Sequence, residues 1–212
     1  MTETHATHPI RIMVVDDHPA FRYGVAAIVG LHPDILLVGE AANGAEAIAI
    51  FKDMRPDVVL MDLQMPVLSG LEAIAAIRAD SPDARIIVLT TYKGDVQAAQ
   101  ALKAGASAYL LKSALRKELV DIIRVVHAGR RHVPAEIAHE IALHASDEPL
   151  SAREIAMLEL VAAGSANKEI AWRLSISEDT VKSHMRSIFI KLDVNDRTQA
   201  VTAALKRGII EL

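Results

Sequence analysis

Through residue 128 the chain alternates short, continuously apolar runs with longer stretches in which apolar side chains recur at helical spacing; after Leu150 only the helical spacing remains. Strand and helix signals in strict alternation are the pattern of βα units around a parallel sheet. The apolar runs predict five strands, at Ile10–Val15, Leu36–Gly39, Val58–Met61, Arg85–Leu89 and Ala108–Leu111. They lack polar alternation, as strands covered on both faces do. Helices are expected between them near Pro19–Leu31, Ala45–Met54, Leu71–Ala79, Asp95–Ala104 and Lys117–Ala128.

The alternation breaks at Gly129. Gly129-Arg-Arg-His-Val-Pro134 and Ala145-Ser-Asp-Glu-Pro149 bracket one short amphipathic piece. Ser151-Ala-Arg-Glu154 then forms a capping box, with Leu150 and Ile155 at the staple positions, so a helix starts there on its own local chemistry. Gly164 ends it, and further helices follow over Asn167–Leu174, from a Ser177 cap to Leu192, and over Arg197–Lys206. The expected organisation is an α/β domain over residues 1–129, a linker with one helix over 130–148, and a small all-α domain over 149–212.

Composition narrows the classes. No apolar run approaches the roughly 20 residues of a membrane span, and the polar start lacks a signal peptide's apolar core, so a cytoplasmic protein with no membrane partner is expected. The absence of cysteine removes disulfides, thiolate metal sites and cysteine nucleophiles together. The net charge is −4, yet residues 150–212 carry 9 basic against 8 acidic side chains while residues 1–149 carry 14 against 19. That bias is too small to establish nucleic-acid binding, which rests on where the charges fall.

Chemistry concentrates where strands end. Asp16 and Asp17 follow the first run, Asp62 the third, Thr90 and Thr91 the fourth, and Lys112 the fifth. In an open parallel sheet these positions converge on the edge where ligands bind. Three carboxylates suit a hard divalent cation, Mg²⁺ or Mn²⁺. A carboxylate beside such an ion can attack a phosphoryl group while the metal and an ammonium neutralise the transferring oxygens. Asp62 is the candidate nucleophile, Asp16 and Asp17 the candidate metal ligands, and Lys112 the phosphate partner. Each residue alone fits a capping or solvated role; the joint spacing favours a pocket.

Asp16-Asp17, Met61-Asp62 with Met65-Pro66 and Gly70, Val88-Leu89-Thr90, and Gly105-Ala-Ser-Ala-Tyr-Leu-Leu-Lys112 resemble the receiver domain of two-component response regulators over roughly residues 9–128. The resemblance implies a flavodoxin-like α/β fold with a five-stranded parallel sheet in the order 2-1-3-4-5. It implies Asp62 as phospho-acceptor, the backbone carbonyl of Gln64 as a further metal ligand, Thr90 as the switch hydroxyl and Tyr109 as the switch aromatic. Ser113 follows the lysine where many receivers carry proline.

In the helix after Ser177, Val181, Met185, Ile188 and Leu192 share one face, and Lys182, Ser183 and Arg186 lie opposite. A recognition helix in a DNA major groove has that two-sided build, and so does a solvated amphipathic helix. Lys168 and Lys191 are candidate phosphate contacts. Leu150-Ser-Ala-Arg-Glu154, Asn167-Lys-Glu-Ile-Ala171, Thr180-Val-Lys-Ser-His184 and Asp196-Arg197-Thr-Gln-Ala200 resemble the LuxR-type helix-turn-helix across about residues 149–210. That resemblance implies Thr180 and Lys168 on phosphates and Lys182, Ser183 and Arg186 toward base edges. Glu178 and Asp179 would then sit near DNA phosphates, and Ile190 takes a position usually polar.

Together the halves resemble a NarL/FixJ-type response regulator, not an enzyme. The resemblance implies a sensor histidine kinase as phosphoryl donor, a homodimer on activation, promoter half-sites in double-stranded DNA, and RNA polymerase as a further partner. A haloacid-dehalogenase-like phosphatase also uses a Mg²⁺-bound aspartate, but its second acid is replaced here by Gln64. A receiver controlled without phosphorylation is a third reading.

Overall fold

The computed structural model describes residues 8–91 and 94–210. The chain divides into two compact units, the first of residues 1–91 and 99–134, the second of 92–98 and 135–212.

In the first unit β1 (Ile10–Val15), β2 (Ile35–Ala41), β3 (Val58–Asp62), β4 (Ile86–Thr90) and β5 (Ala108–Leu111) form one sheet. Its order is β2-β1-β3-β4-β5 and all pairings are parallel. The helices between strands are α1 (Pro19–Val29), α2 (Gly44–Met54), α3 (Gly70–Asp80) and α4 (Asp95–Ala104), of which residues 99–104 belong to this unit, and after β5 a 3₁₀ turn (Lys112–Ala114) leads into α5 (Leu115–His127). Each expected element is present. The main shift is in β2, which extends to Ala41 because Met13, Val14 and Val15 pair with Gly39, Glu40 and Ala41 past a register irregularity.

Side chains alternate across a strand, so the two faces can be read separately. Ile12, Val14, Val58, Leu60, Ile87, Leu89, Ala108 and Leu110 pack with Val25 and Val29 of α1 and Leu119, Ile122, Ile123 and Val126 of α5. The intervening residues Met13, Val59, Met61, Ile86, Val88 and Tyr109 are fully buried on the other face. Burial on both faces is what erases polar alternation from these strands and makes them legible as continuous apolar runs.

The second unit is helical: α6 (Ala135–Leu143), α7 (Ala152–Ala162), α8 (Asn167–Leu174), α9 (Glu178–Leu192) and α10 (Arg197–Arg207). The Ser151–Glu154 capping box is complete, and Ser177 and Asp196 cap α9 and α10. Met157, Leu158, Val161, Ile170, Val181, Met185, Ile188, Ala200 and Ala204 make its core. The small residues of the last helix suit a dimer seam and internal packing equally well by sequence. Ala200 and Ala204 are used internally, which leaves Thr202 and Ala203 nearer its outer side.

Candidate functional site

Parallel strands deliver Asp16, Asp62, Thr90 and Lys112 to the carboxyl edge of the sheet. Asp16 is fully buried, Asp62 is 5% exposed and Thr90 is 2% exposed. Nζ of Lys112 stands 2.7 Å from Oδ2 of Asp16 and 2.8 Å from Oδ2 of Asp62. The same ammonium lies 4.6 Å from the centre of the Phe21 ring, a cation–π contact that sequence spacing does not indicate. Arg22 donates to the backbone carbonyl of Asp16 and to Glu40, which fixes the start of α1 beside the pocket.

Burial pushes the Asp62 carboxyl above its ordinary value; the Lys112 ammonium opposes the rise, the charge of Asp16 adds to it, and a hydrogen bond with the Gln64 backbone opposes it. For Lys112, burial works against the charged form, but Asp16 and Asp62 outweigh it and hold the ammonium above the usual lysine value. The pocket thus keeps two carboxylates and a cation in low-dielectric surroundings, where charge development on a bound group is felt strongly.

Asp16, Asp17, His18 and Asp62 each offer a ligand atom, all within 4.8 Å of one another. Oδ1 of Asp17 is buried and has the His18 ring nitrogen 2.7 Å away. Three clustered carboxylates offer the hard oxygens that suit a divalent cation such as Mg²⁺. By sequence His18 is only a helix-start neighbour; the structure brings its ring to the carboxylates while leaving it 72% exposed. The backbone of Gln64 also reaches Asp62, through its N–H.

Gly70 shapes this pocket. A Cβ there would lie 2.0 Å from the backbone oxygen of Asp62, so only glycine lets α3 start so close behind β3. Leu68 N–H donates to Pro66 C=O at 2.8 Å, a γ-turn whose central residue, Val67, has φ 71°. Such turns are rare and strained.

Thr90 and Tyr109 share one sheet face, with Tyr109 opposite Val88 in register. The Tyr109 ring is fully buried and its hydroxyl is hydrogen-bonded to Thr90. Burial drives the phenol up to about 12 and the Thr90 bond opposes that rise. A switch aromatic of the receiver type is expected to turn inward only as Thr90 moves. Here the ring is already inward, because Thr90 satisfies its one polar atom.

In the helical unit Lys182, Ser183 and Arg186 are exposed on α9, opposite buried Val181, Met185, Ile188 and Leu192, and Lys168 is exposed on α8. The Thr180 hydroxyl is 2.8 Å from that of Ser177. Lys182 Nζ pairs with Asp179 at 2.9 Å. Ile190 is 81% exposed and Trp172 78%. Lys191 is placed differently from expectation. Its ammonium is bonded to Glu154 at 3.0 Å, to Glu148 at 3.0 Å and to the carbonyl of Pro149 at 3.3 Å, with only 13% of the side chain exposed. Glu154 sits one layer in, at a distance in sequence that helical periodicity cannot reveal, and takes up a charge that by sequence looks free. Arg197 Nη2 donates to the Ser165 carbonyl, fastening α10 to the α7–α8 turn.

Comparison with known proteins places a known family on each part of the chain. Residues 12–124 match the family described as response regulator receiver domain, and residues 148–204 the LuxR family of bacterial regulatory proteins. The chain is similar to the transcriptional regulatory protein LiaR of Bacillus subtilis, 38% identical over 209 residues that cover 95% of this chain and 99% of the relative. Response regulator protein VraR of Staphylococcus aureus is 36% identical over 207 residues, with coverage of 95% and 99%. Among solved structures, the response regulator ChrA of a heme-sensing two-component system superposes with a TM-score of 0.58 at 37% identity, covering 95% of this chain and 99% of that one. With a receiver-type sheet carrying an acidic pocket and a capped helix-turn-helix on one polypeptide, the chain belongs to the two-component response regulators that join a receiver domain to a LuxR-type DNA-binding domain.

Proposed function

We propose that Asp62 accepts a phosphoryl group from a sensor histidine kinase and that its phosphorylation governs dimerisation and DNA binding by the helical domain. The carrying observation is the buried Asp62 carboxylate, 2.8 Å from the Lys112 ammonium and grouped with Asp16 and Asp17. Asp16 and Asp17, with Asp62 and the Gln64 carbonyl, would hold Mg²⁺, which when bound neutralises charge on the phosphoryl oxygens. An Asp62 carboxylate oxygen bonds to phosphorus as the N–P bond to the kinase's phosphohistidine breaks and its electron pair stays on the imidazole, while Lys112 leaves Asp16 to pair with a phosphoryl oxygen and Thr90 donates to another. Loss of the Thr90 bond then obliges the buried Tyr109 hydroxyl to find a new partner, a local change that the surrounding surface can register. A second copy brings two helical domains onto two half-sites, raising affinity through effective concentration.

On the DNA side, Lys182, Ser183 and Arg186 face bases, with Lys168 and Thr180 on phosphates; Lys191 instead secures the fold through Glu154. Residues 1–129 act as receiver, 130–148 as linker and 149–212 as DNA-binding domain, in the cytoplasm and in partnership with RNA polymerase. Genome-wide footprinting with wild type and Asp62→Asn tests this. Phosphate-dependent occupancy lost in the variant is expected, and unaltered occupancy would overturn the switch. Sustained turnover of phosphomonoesters would instead favour a phosphatase.

A further inference from the structure

At the amino edge of the sheet, across the β-strands from Asp62, lies a second polar cavity of about 410 Å³, lined by Arg78, Arg85, Arg130 and Arg131 with Ser107 and the open backbone at Gly105 and Gly129. Asp83 is its single acidic residue. Four guanidinium groups against one carboxylate is an unusual concentration for a receiver unit whose overall balance is acidic. Among the described residues none of the four forms an ion pair. Parallel strands of five residues separate this cavity from the Asp62 pocket by roughly 15 Å.

The arginines are carried on fixed backbone. Arg78 is half-buried and its Nη1 donates to the Ala84 carbonyl at 3.1 Å. Its side chain occupies the space beside Gly105, where a Cβ would lie 2.6 Å from Nε and where φ is 111°, so glycine leaves the guanidinium its place. Arg85 leads directly into β4, and its carbonyl accepts from Val59 N–H at 2.9 Å. Arg130 and Arg131 are exposed, but the segment bearing them is tied at both ends. Arg130 N–H donates to Val125 C=O at 3.1 Å, and His132 exchanges hydrogen bonds with Ser107 and Tyr109 of 3.1 and 3.0 Å, extending the β5 edge. The backbone under all four is therefore fixed, and the Arg78 guanidinium is held as well; ordering that is already in place need not be lost on binding.

We propose that this cavity is a binding site for a multiply charged phosphate anion, either a free polyphosphate or the phosphate tail of a nucleotide. Guanidinium forks match phosphate oxygens two at a time, whereas a monovalent anion engages one fork and leaves the others repelling. The lining is polar, with Pro82, Ala84 and Val126 its few apolar members, so the phosphates rather than a base or an apolar body carry recognition.

The test is isothermal titration of the full chain with tripolyphosphate, without Mg²⁺ and at ionic strength held constant with potassium chloride. One-to-one binding is expected, unchanged in Asp62→Asn, and weakened about tenfold or more in Arg85→Ala and in the Arg130→Ala/Arg131→Ala pair. Arg116→Ala, an exposed residue of α5 outside the lining, removes the same charge and is expected to bind as wild type. The Arg130→Lys/Arg131→Lys pair keeps the charge without the forks and should fall between. ATP equal to tripolyphosphate, with AMP much weaker, identifies a nucleotide tail as an accepted source; tripolyphosphate alone identifies the free chain. No binding at millimolar concentration, equal loss in Arg116→Ala, or loss in Asp62→Asn would overturn the site, as would binding of duplex DNA with no response to tripolyphosphate. If Arg85→Ala does not fold, the exposed Arg130/Arg131 pair decides.

Discussion

Lys112 Nζ reaches Asp62 Oδ2 at 2.8 Å although their strands, β5 and β3, are separated in the sheet by β4. The lysine supplies the main charge that resists the burial-driven rise of the Asp62 carboxyl. Lys112→Met should therefore push that carboxyl higher still, which ¹³C NMR titration of the aspartate carboxyl would record. A folded-state value above the unfolded one means the native form binds the proton more tightly, so this group lowers stability as pH rises through the interval between the two. The variant widens that interval upward. With the ammonium gone, phosphorylation by acetyl phosphate with Mg²⁺ should slow by about 10²–10³-fold; an unchanged rate would remove Lys112 from the chemistry.

Tyr109→Phe keeps the buried ring and deletes the bond to Thr90. The expected cost is about 1 kcal/mol, read as a lower urea midpoint with the same slope. The phenol is pushed up to about 12 in the folded chain, against an ordinary value of 10.0. Its contribution to stability is complete below pH 10 and is lost as pH rises from about 10 to about 12. The phenylalanine variant should therefore show a shallower alkaline decline. In the phosphorylated chain the same substitution is expected to change dimer affinity more than it changes the phosphorylation rate, since the hydroxyl reaches the phosphoryl site only through Thr90.

The strands and the acidic pocket are legible in the sequence because burial on both faces leaves uninterrupted apolar runs, and because a strand end fixes where its next side chain goes. Asp16, Asp62, Thr90 and Lys112 all follow that rule. Relations set by tertiary approach are not legible in that way. Phe21 under Lys112 and the Arg22 bond to the Asp16 carbonyl depend on how α1 crosses the sheet edge. Tyr109 pointing inward depends on the Thr90 hydroxyl standing within hydrogen-bond reach of its phenol. Lys191 looks like a free cation because Glu154, 37 positions away, is invisible to any local period. Gly70 stands in the sequence as one residue of a receiver-like motif, whereas its physical cause is the 2.0 Å approach that a Cβ would make to the Asp62 carbonyl.

Glu154 gives the helical domain its own acid sensitivity. Burial works against its charge, but hydrogen bonds from Ser151, Ser187 and Lys191 outweigh burial and hold the carboxyl down to about 2. The resulting stability is present above the ordinary value of 4.5 and is lost as pH falls from about 4.5 to about 2. Glu154→Gln should cost about 1.5–3 kcal/mol at neutral pH and flatten the acid limb relative to wild type. Trp172 is the single tryptophan and lies in α8, so its fluorescence in urea reports on this domain. Lys191→Met should destabilise by the same route, by stranding a buried carboxylate. Loss of DNA affinity in Lys191→Met with no change in the Trp172 transition would restore a direct phosphate contact.

Asp179 poses an electrostatic conflict on the proposed DNA face. It is exposed at the start of α9, where a carboxylate favours the helix N-terminus, and it holds the Lys182 ammonium at 2.9 Å. The pair depresses the Asp179 carboxyl and raises Lys182, so both stay charged at neutral pH. DNA must compete with Asp179 for that ammonium, and its phosphates meet an uncompensated carboxylate when they win. Asp179→Asn keeps a hydrogen-bonding side chain in the first turn and removes both penalties. On a fragment recovered by footprinting, affinity should rise by about threefold to tenfold at low salt, and the gain should shrink as salt screens it. Thermal stability should fall slightly, from the lost helix-terminus interaction. Lys182→Ala is expected to move the other way and to relax sequence preference as well as affinity. If Asp179→Asn binds no more tightly at any salt concentration, the amino-terminal turn of α9 does not approach the phosphates, and the orientation assigned to Lys182, Ser183 and Arg186 is wrong.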